Sequence, residues 1–454
     1  MYTGRTLAGT ACALLVAAGP VFAQLGPVGG QPGGGGVGGG QTGGLFGRQA
    51  TRDVSGTSQN LSILVSGSTG ADRNRDSEGR PLPPVTFGAQ QSGTISSVDG
   101  TLTYALNRGF SSITSTARGY ANYGTEGVGR IAGGSGSLQG TIAFSGRSGL
   151  VVDTSASYDP GILFDAFGLV AEQIDTGAVP GANPTQGVSE GRWLSYAATG
   201  GVYRSWTSRQ RTVVAGTFAH RQAQQQGGGL DNTVGGGSVR HTWAARAGKT
   251  LDFGYRIDGQ EQMTATGAAA VYTQAGDAMF TFDRRVSATR RVSVSLGSGL
   301  VFVRTPSDVT RTDISFVVPS FSALARINLF RRWELALDGR RDITVLRGLS
   351  PLVFRSDAAA LRLGGNPVDR VQLQFSIGAS RGSSESTDAG SFDMTTAVAQ
   401  AQFAVSRYAA VSTSVNYYLH RLRDLTLVDP RFPAAFRRSS VRVGVTLWLP
   451  VIGR

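Results

Sequence analysis

From about residue 58 to residue 450, apolar side chains return at every second position in runs separated by polar breaks. Leu251, Phe253, Tyr255 and Ile257 alternate with Asp252, Gly254, Arg256 and Asp258. Val371, Leu373, Phe375 and Ile377 alternate with Gln372, Gln374, Ser376 and Gly378. Val411, Thr413, Val415, Tyr417 and Leu419 alternate with Ser412, Ser414, Asn416, Tyr418 and His420. A strand turns successive side chains to opposite faces, so this period predicts strands with one apolar and one polar face. The polar set is Ser, Thr, Gln, Gly and Arg, not the Lys/Glu mixture of a surface in water, and Lys249 is the only lysine.

The breaks come in two kinds. Short basic turns occur at 107–109, 146–148, 207–211, 248–249, 289–291, 331–332, 366–370 and 406–407. Between them lie longer Gly/Asp/Pro-rich connections at 69–90, 124–134, 159–190, 223–235, 261–276, 305–312, 346–352, 383–390 and 422–435. Alternation of short turns with long loops is the layout of an up-and-down barrel whose turns face one side of a membrane and whose loops face the other. The predicted fold is therefore all-β: a transmembrane antiparallel up-and-down β-barrel of about 18 strands, with 16 as the alternative count. Strands of roughly ten residues suffice to cross a bilayer. In lipid every backbone polar group must pair internally, and only a closed sheet does that without helices.

Residues 1–23 read as a signal peptide, with Arg5 in the n-region, an apolar core from Leu7 to Ala18, and cleavage after Ala23. Residues 24–57 form a Gly-rich flexible periplasmic leader, with twelve Gly among positions 26–44. The barrel is placed at 58–454. Charged residues are only 16 % of the chain, and no stretch after the leader has the ~18 consecutive apolar residues of a membrane helix. The single Cys lies in the signal segment, so a disulfide scaffold or Cys-based metal framework is excluded from the mature chain. A net charge of +13 is spread over turns and strands, which argues against a nucleic-acid-binding patch. Phe110, Trp206, Phe330, Trp333, Tyr408 and Trp448 fall near turns or the C-terminal end, where aromatic rings form interfacial girdles. The turn arginines are placed to meet anionic headgroups.

The last strand reads Val441-Arg442-Val443-Gly444-Val445-Thr446-Leu447-Trp448-Leu449. Arg442, Gly444, Leu447 and Leu449 resemble the C-terminal assembly signal of bacterial outer-membrane proteins, although such signals end on an aromatic and here Pro450 to Arg454 follow. The chain resembles porin-like outer-membrane β-barrels, including the porins that accompany exopolysaccharide export systems. The resemblance implies location in the bacterial outer membrane, contact with outer-membrane lipid, delivery by the barrel-assembly machinery, and no cofactor or metal.

With the apolar face outward, the pore-lining candidates are Arg118, Arg240, Arg246, Arg256, Arg326, Arg340, Arg362 and Arg442, with Asp153, Asp252, Asp258, Asp283, Glu334 and Asp338. This slight basic excess predicts a passive, mildly anion-preferring pore for small hydrophilic solutes. Bracing pairs between neighbouring strands are the competing role for the same residues. The long connection 159–190 holds Asp165, Glu172 and Asp175, candidates for an inward-folded constriction loop. His241 is assigned to the lipid face, His420 to the lumen, and His220 to neither; no His/Ser/acid spacing points to an enzyme. The alternatives to a pore for small hydrophilic or anionic solutes are a barrel for extracellular polysaccharide export and a structural or adhesive barrel acting through its outer loops. An oligomer is compatible with each.

Overall fold

The computed structural model describes residues 58–75, 93–124, 131–159, 193–223, 231–246, 248–264, 267–287, 290–305, 314–330, 332–345, 353–384, 390–423 and 435–453. The signal and leader segments, and Asp165, Glu172 and Asp175 of the long connection, lie outside the described residues. Eighteen strands follow one another: β1 (Ser58–Arg75), β2 (Gly93–Arg108), β3 (Ser111–Gly124), β4 (Ile131–Ser145), β5 (Ser148–Asp159) and β6 (Trp193–Thr207). Next come β7 (Gln210–Ala223), β8 (Asn232–Arg246), β9 (Lys249–Thr264), β10 (Gly267–Ser287), β11 (Arg290–Thr305) and β12 (Ile314–Phe330). The series ends with β13 (Trp333–Val345), β14 (Val353–Val368), β15 (Val371–Ser384), β16 (Ser391–Ala404), β17 (Ala409–Arg423) and β18 (Ala435–Gly453).

Each strand pairs antiparallel with the next, and β18 pairs with β1 from Asn60↔Gly453 to Arg75↔Arg437. The sheet therefore closes on itself and has no free edge. The period of two settles which side chains face out. Val65, Leu102, Ile142, Val202, Val239, Phe253, Leu296, Phe321, Leu361, Ile377, Val415 and Val443 are all exposed, and all lie on the outward face. Large apolar side chains thus coat the exterior from β1 round to β18. An exposed apolar surface of this extent has no place in water. It is the exterior of a membrane-spanning barrel.

Three expectations change. The connection predicted at 261–276 is not a long loop, because β9 runs to Thr264 and β10 begins at Gly267, so strand pairing continues through it. The polar Gln260, Glu261 and Gln262 mimic a loop in sequence but continue the ladder. The strands are 12 to 21 residues long, not about ten, because pairing extends past the apolar band. Trp448 does not belong to an outer girdle. It faces inward at 5 % exposure, packs with Ala410 and Leu64, and stacks on Tyr408 with ring centroids 6.3 Å apart. Phe110, Trp206 and Tyr408 are exposed at the turn end, and the guanidinium groups of Arg204 and Arg407 lie 4.6 Å from the Trp206 and Tyr408 rings.

Cross-strand pairs of an aromatic with a glycine recur along the wall. Tyr120 faces Gly133, Tyr203 faces Gly149, Trp333 faces Gly365, and Phe392 faces Gly382. In each pair the ring fills the space where a Cβ on the glycine would sit. The ring covers the backbone that the glycine leaves bare.

Pro450 sits where β18 has lost its β17 partner, since the β17–β18 pairing stops at Ala409↔Leu447. A proline is tolerated on a strand with one free side. A register shift between Leu61 and Ser62 absorbs the irregularity, and pairing with β1 continues to Gly453. Residues Pro450 to Gly453 therefore extend the closing strand.

Candidate functional site

The inward face of β7–β13 surrounds a cavity of roughly 720 Å³. Its polar lining includes Ser238, Thr242, Thr250, Ser293, Ser320 and Ser322, with charges from Arg240, Arg256, Arg340, Asp277, Asp338 and Asp342. Small hydroxylated residues leave room there, and the alternation that places Leu and Phe outward puts these groups inward on every strand. Inward side chains are buried on both sides of the ring: Val213, Asp252, Val303 and Val318 on β7–β12, and Phe354, Phe392, Gln402, His420, Thr446 and Ser66 on β14–β18 and β1, are each under 10 % exposed.

The register places Arg118, Arg240, Arg246, Arg256, Arg326, Arg340, Arg362 and Arg442 on the inward face, together with Asp153, Asp252, Asp258, Asp283, Glu334 and Asp338. Several form pairs. Arg240 on β8 reaches Asp277 on β10 at 3.2 Å, crossing the intervening β9 at Gly254. A Cβ on Gly254 would overlap an Asp277 carboxylate oxygen, so any larger residue there would make the bridge shift. Arg256 meets Asp258 at 2.7 Å on the same strand. Arg118 meets Asp99 at 2.6 Å. Asp252 accepts a hydrogen bond from Thr242, and Asp153 accepts one from Gln139 at 3.1 Å. Arg326 and Arg362 lie in one row on either side of Ala336, and Glu334 and Asp338 flank that alanine on β13. The two signs therefore alternate across neighbouring strands.

The structure adds residues that the alternation pattern alone does not reveal. Arg211, Arg221, Arg285, Arg291 and Arg438 face inward, and so do Asp72, Asp99, Asp277 and Asp342. Five arginines against four aspartates raise the basic excess by one. Asp72 and Asp277 fall at or beside segments predicted as loops. The signal that could have found them is a continuation of the even–odd pattern through a polar stretch.

Where β18 closes onto β1, Asp72 is fully buried, hydrogen-bonded by Arg438 and 3.6 Å from Arg442. Asp72 pairs with Ser440, which places the two arginines two residues to either side of it on β18. Of the other residues proposed for the assembly signal, Gly444 faces inward, and Leu447 and Leu449 face outward as exposed side chains. The histidines separate. His220 faces outward beside Thr233 at 2.8 Å, His241 faces outward beside Thr212 at 2.9 Å, and His420 is buried inward against Tyr418.

No family model matches the chain, and no characterised protein matches it by sequence. Among solved structures it is similar to OccK2 of Pseudomonas aeruginosa, determined in complex with glucuronate. That pair shares 7 % identity and a TM-score of 0.46, over 87 % of this chain and 98 % of that one. The outer membrane protein OpdK of the same organism shares 8 % identity and a TM-score of 0.43, over 86 % and 99 %. Acinetobacter baumannii OccAB3 shares 9 % identity and a TM-score of 0.43, over the same two fractions. Likeness at this level carries no functional weight, and the assignment rests on the chain's own strand pairing: it is a closed, 18-stranded, membrane-spanning antiparallel β-barrel.

Proposed function

We propose that this barrel is an outer-membrane pore that passes small hydrophilic solutes passively, with a mild preference for anions. The observation that carries the reading is the two-faced closed wall: apolar side chains all round the exterior, hydroxyls and charges along an interior cavity of roughly 720 Å³. A cavity of this size lies in the range that small-molecule sites occupy. The inward arginines slightly outnumber the inward acids, and charged rings bias which ions enter. The chemistry asked of the wall is hydration and charge matching, which serine, threonine and arginine supply without a reacting group.

Planar-bilayer conductance of the refolded barrel tests this reading. Stepwise openings with a reversal potential on the anion side are expected. A cation-side reversal potential would overturn the preference. Electrical silence from a barrel whose folding is shown by heat-modifiable gel mobility would overturn the open pore.

The buried inward face of β14–β18 favours a second reading, in which the barrel is shut in isolation. Such a barrel would serve extracellular polysaccharide export with periplasmic partners, or act through its outer loops. Conductance that appears only with a periplasmic partner present would select the export form.

A further inference from the structure

The loop end of the exterior is not uniform in charge. On β2–β12, among the described residues, the outward strand positions at that end carry Arg304 and Glu261 as their charged side chains. The sector from β13 through β18 to β1 is different. Arg341, Asp357, Arg381, Asp393 and Arg421 stand directly opposite one another in a continuous row across β13–β17. The next row toward the loops holds Arg355, Ser383, Ser391 and Arg423. Arg437 on β18 pairs with Arg75 on β1, and Arg73 lies two residues below it.

Eight arginines therefore share this sector with two aspartates. The aspartates bridge three of them: Arg341–Asp357 at 2.6 Å, Arg381–Asp393 at 3.6 Å and Arg423–Asp393 at 3.4 Å. These groups are exposed, Arg381 at 76 % and Arg423 at 56 %. Two outward rows closer to the turns, the same strands carry Leu337, Leu361 and Ile377, which are exposed and apolar. The basic rows thus border the apolar band where lipid headgroups lie.

We infer that this sector binds a phosphorylated lipid headgroup of the outer leaflet, its phosphates held by the arginine rows and its acyl chains laid on the leucine–isoleucine surface. Arginine forks match phosphate oxygens two at a time, which lysine does not do. The two aspartates are ion-paired with three of these arginines and so compete with phosphate for them. A free anion would not need the apolar surface directly beneath. The inference rests on the membrane-spanning reading, which insertion of the refolded chain into phosphatidylcholine vesicles tests separately.

The experiment uses the full chain refolded in a neutral detergent, with diphosphorylated lipid A as the probe and native mass spectrometry as the readout. Wild type is expected to retain the lipid saturably. The variant R355Q/R381Q/R421Q/R423Q is expected to lose affinity by about tenfold or more, since it neutralises four of the eight arginines that attract the anionic headgroup. Equal retention by wild type and variant would overturn the site. Equal displacement by the same concentration of inorganic phosphate would overturn the lipid in favour of a free anion. Should the variant fail to fold, D357N/D393N decides: tighter retention supports the site, and unchanged retention overturns it. Failure of the wild type to enter vesicles would overturn the membrane reading itself, and the lipid site with it.

Discussion

Arg240 and Asp277 meet across the bare backbone of Gly254, and this contact shows how one residue shapes the interior. Each charge is offset by the other, so the pair adds nothing to the sign of the lumen. Removing one member uncovers the second. Asp277→Asn is expected to shift the reversal potential toward anions, and Arg240→Gln toward cations. Two unit charges 4 Å apart in water interact by about 1 kcal/mol, so each shift corresponds to roughly fivefold in the permeability ratio. The double variant should return close to wild type. Equal shifts in the same direction from both single variants would show that the pair does not set the local charge. Arg240 is legible in the sequence because it falls in a clear alternating run. Asp277 is not, because Gly267 and Gly276 make its neighbourhood look like a loop, and composition masks the ladder it belongs to.

At the scale of the strand, the wall depends on rings folded over glycines. At Gly382 a Cβ would overlap the Phe392 ring, whereas Gly67 has nothing within 4 Å of its Cβ position. Gly382→Val must push the ring off its rotamer and is expected to cost about 1–3 kcal/mol. Gly67→Ala should stay within about 0.5 kcal/mol of wild type. Urea unfolding followed by gel mobility checks both, and equal stability of the two variants would refute the packing argument. The strands themselves were legible from the period of two, and so was their number. Their ends were not, because pairing persists beyond the apolar band into stretches where neither face needs to be apolar. The inward turn of Trp448 was legible in the same period, since it stands between the outward Leu447 and Leu449, but its place near the chain end suggested a girdle instead.

For the whole molecule, the decisive contact is the seam between β1 and β18. Asp72 is fully buried between Arg438 and Arg442. Breaking a buried ion pair by removing one partner costs about 3–5 kcal/mol, because the other charge stays buried. Asp72→Asn is expected to destabilise the barrel by that order, read as a lower temperature for the gel-mobility transition. Asp357→Asn removes an acid from an exposed pair, with Arg341 at 45 % and Asp357 at 51 % exposure, and should cost under about 1 kcal/mol. Similar losses from both would show that burial does not set the strength of the seam. The seam could not be read from the sequence, since nothing local links position 72 to position 438.

That separation also orders events in time. The Asp72–Arg438 contact spans 366 residues, and long-range pairing forms late because the intervening chain must first be brought together. A polypeptide broken off before β18 carries the acid of the first strand without either of its arginine partners. Closure therefore waits on the last strand, and a chain that ends before β18 keeps an open flank with its Asp72 carboxylate unneutralised.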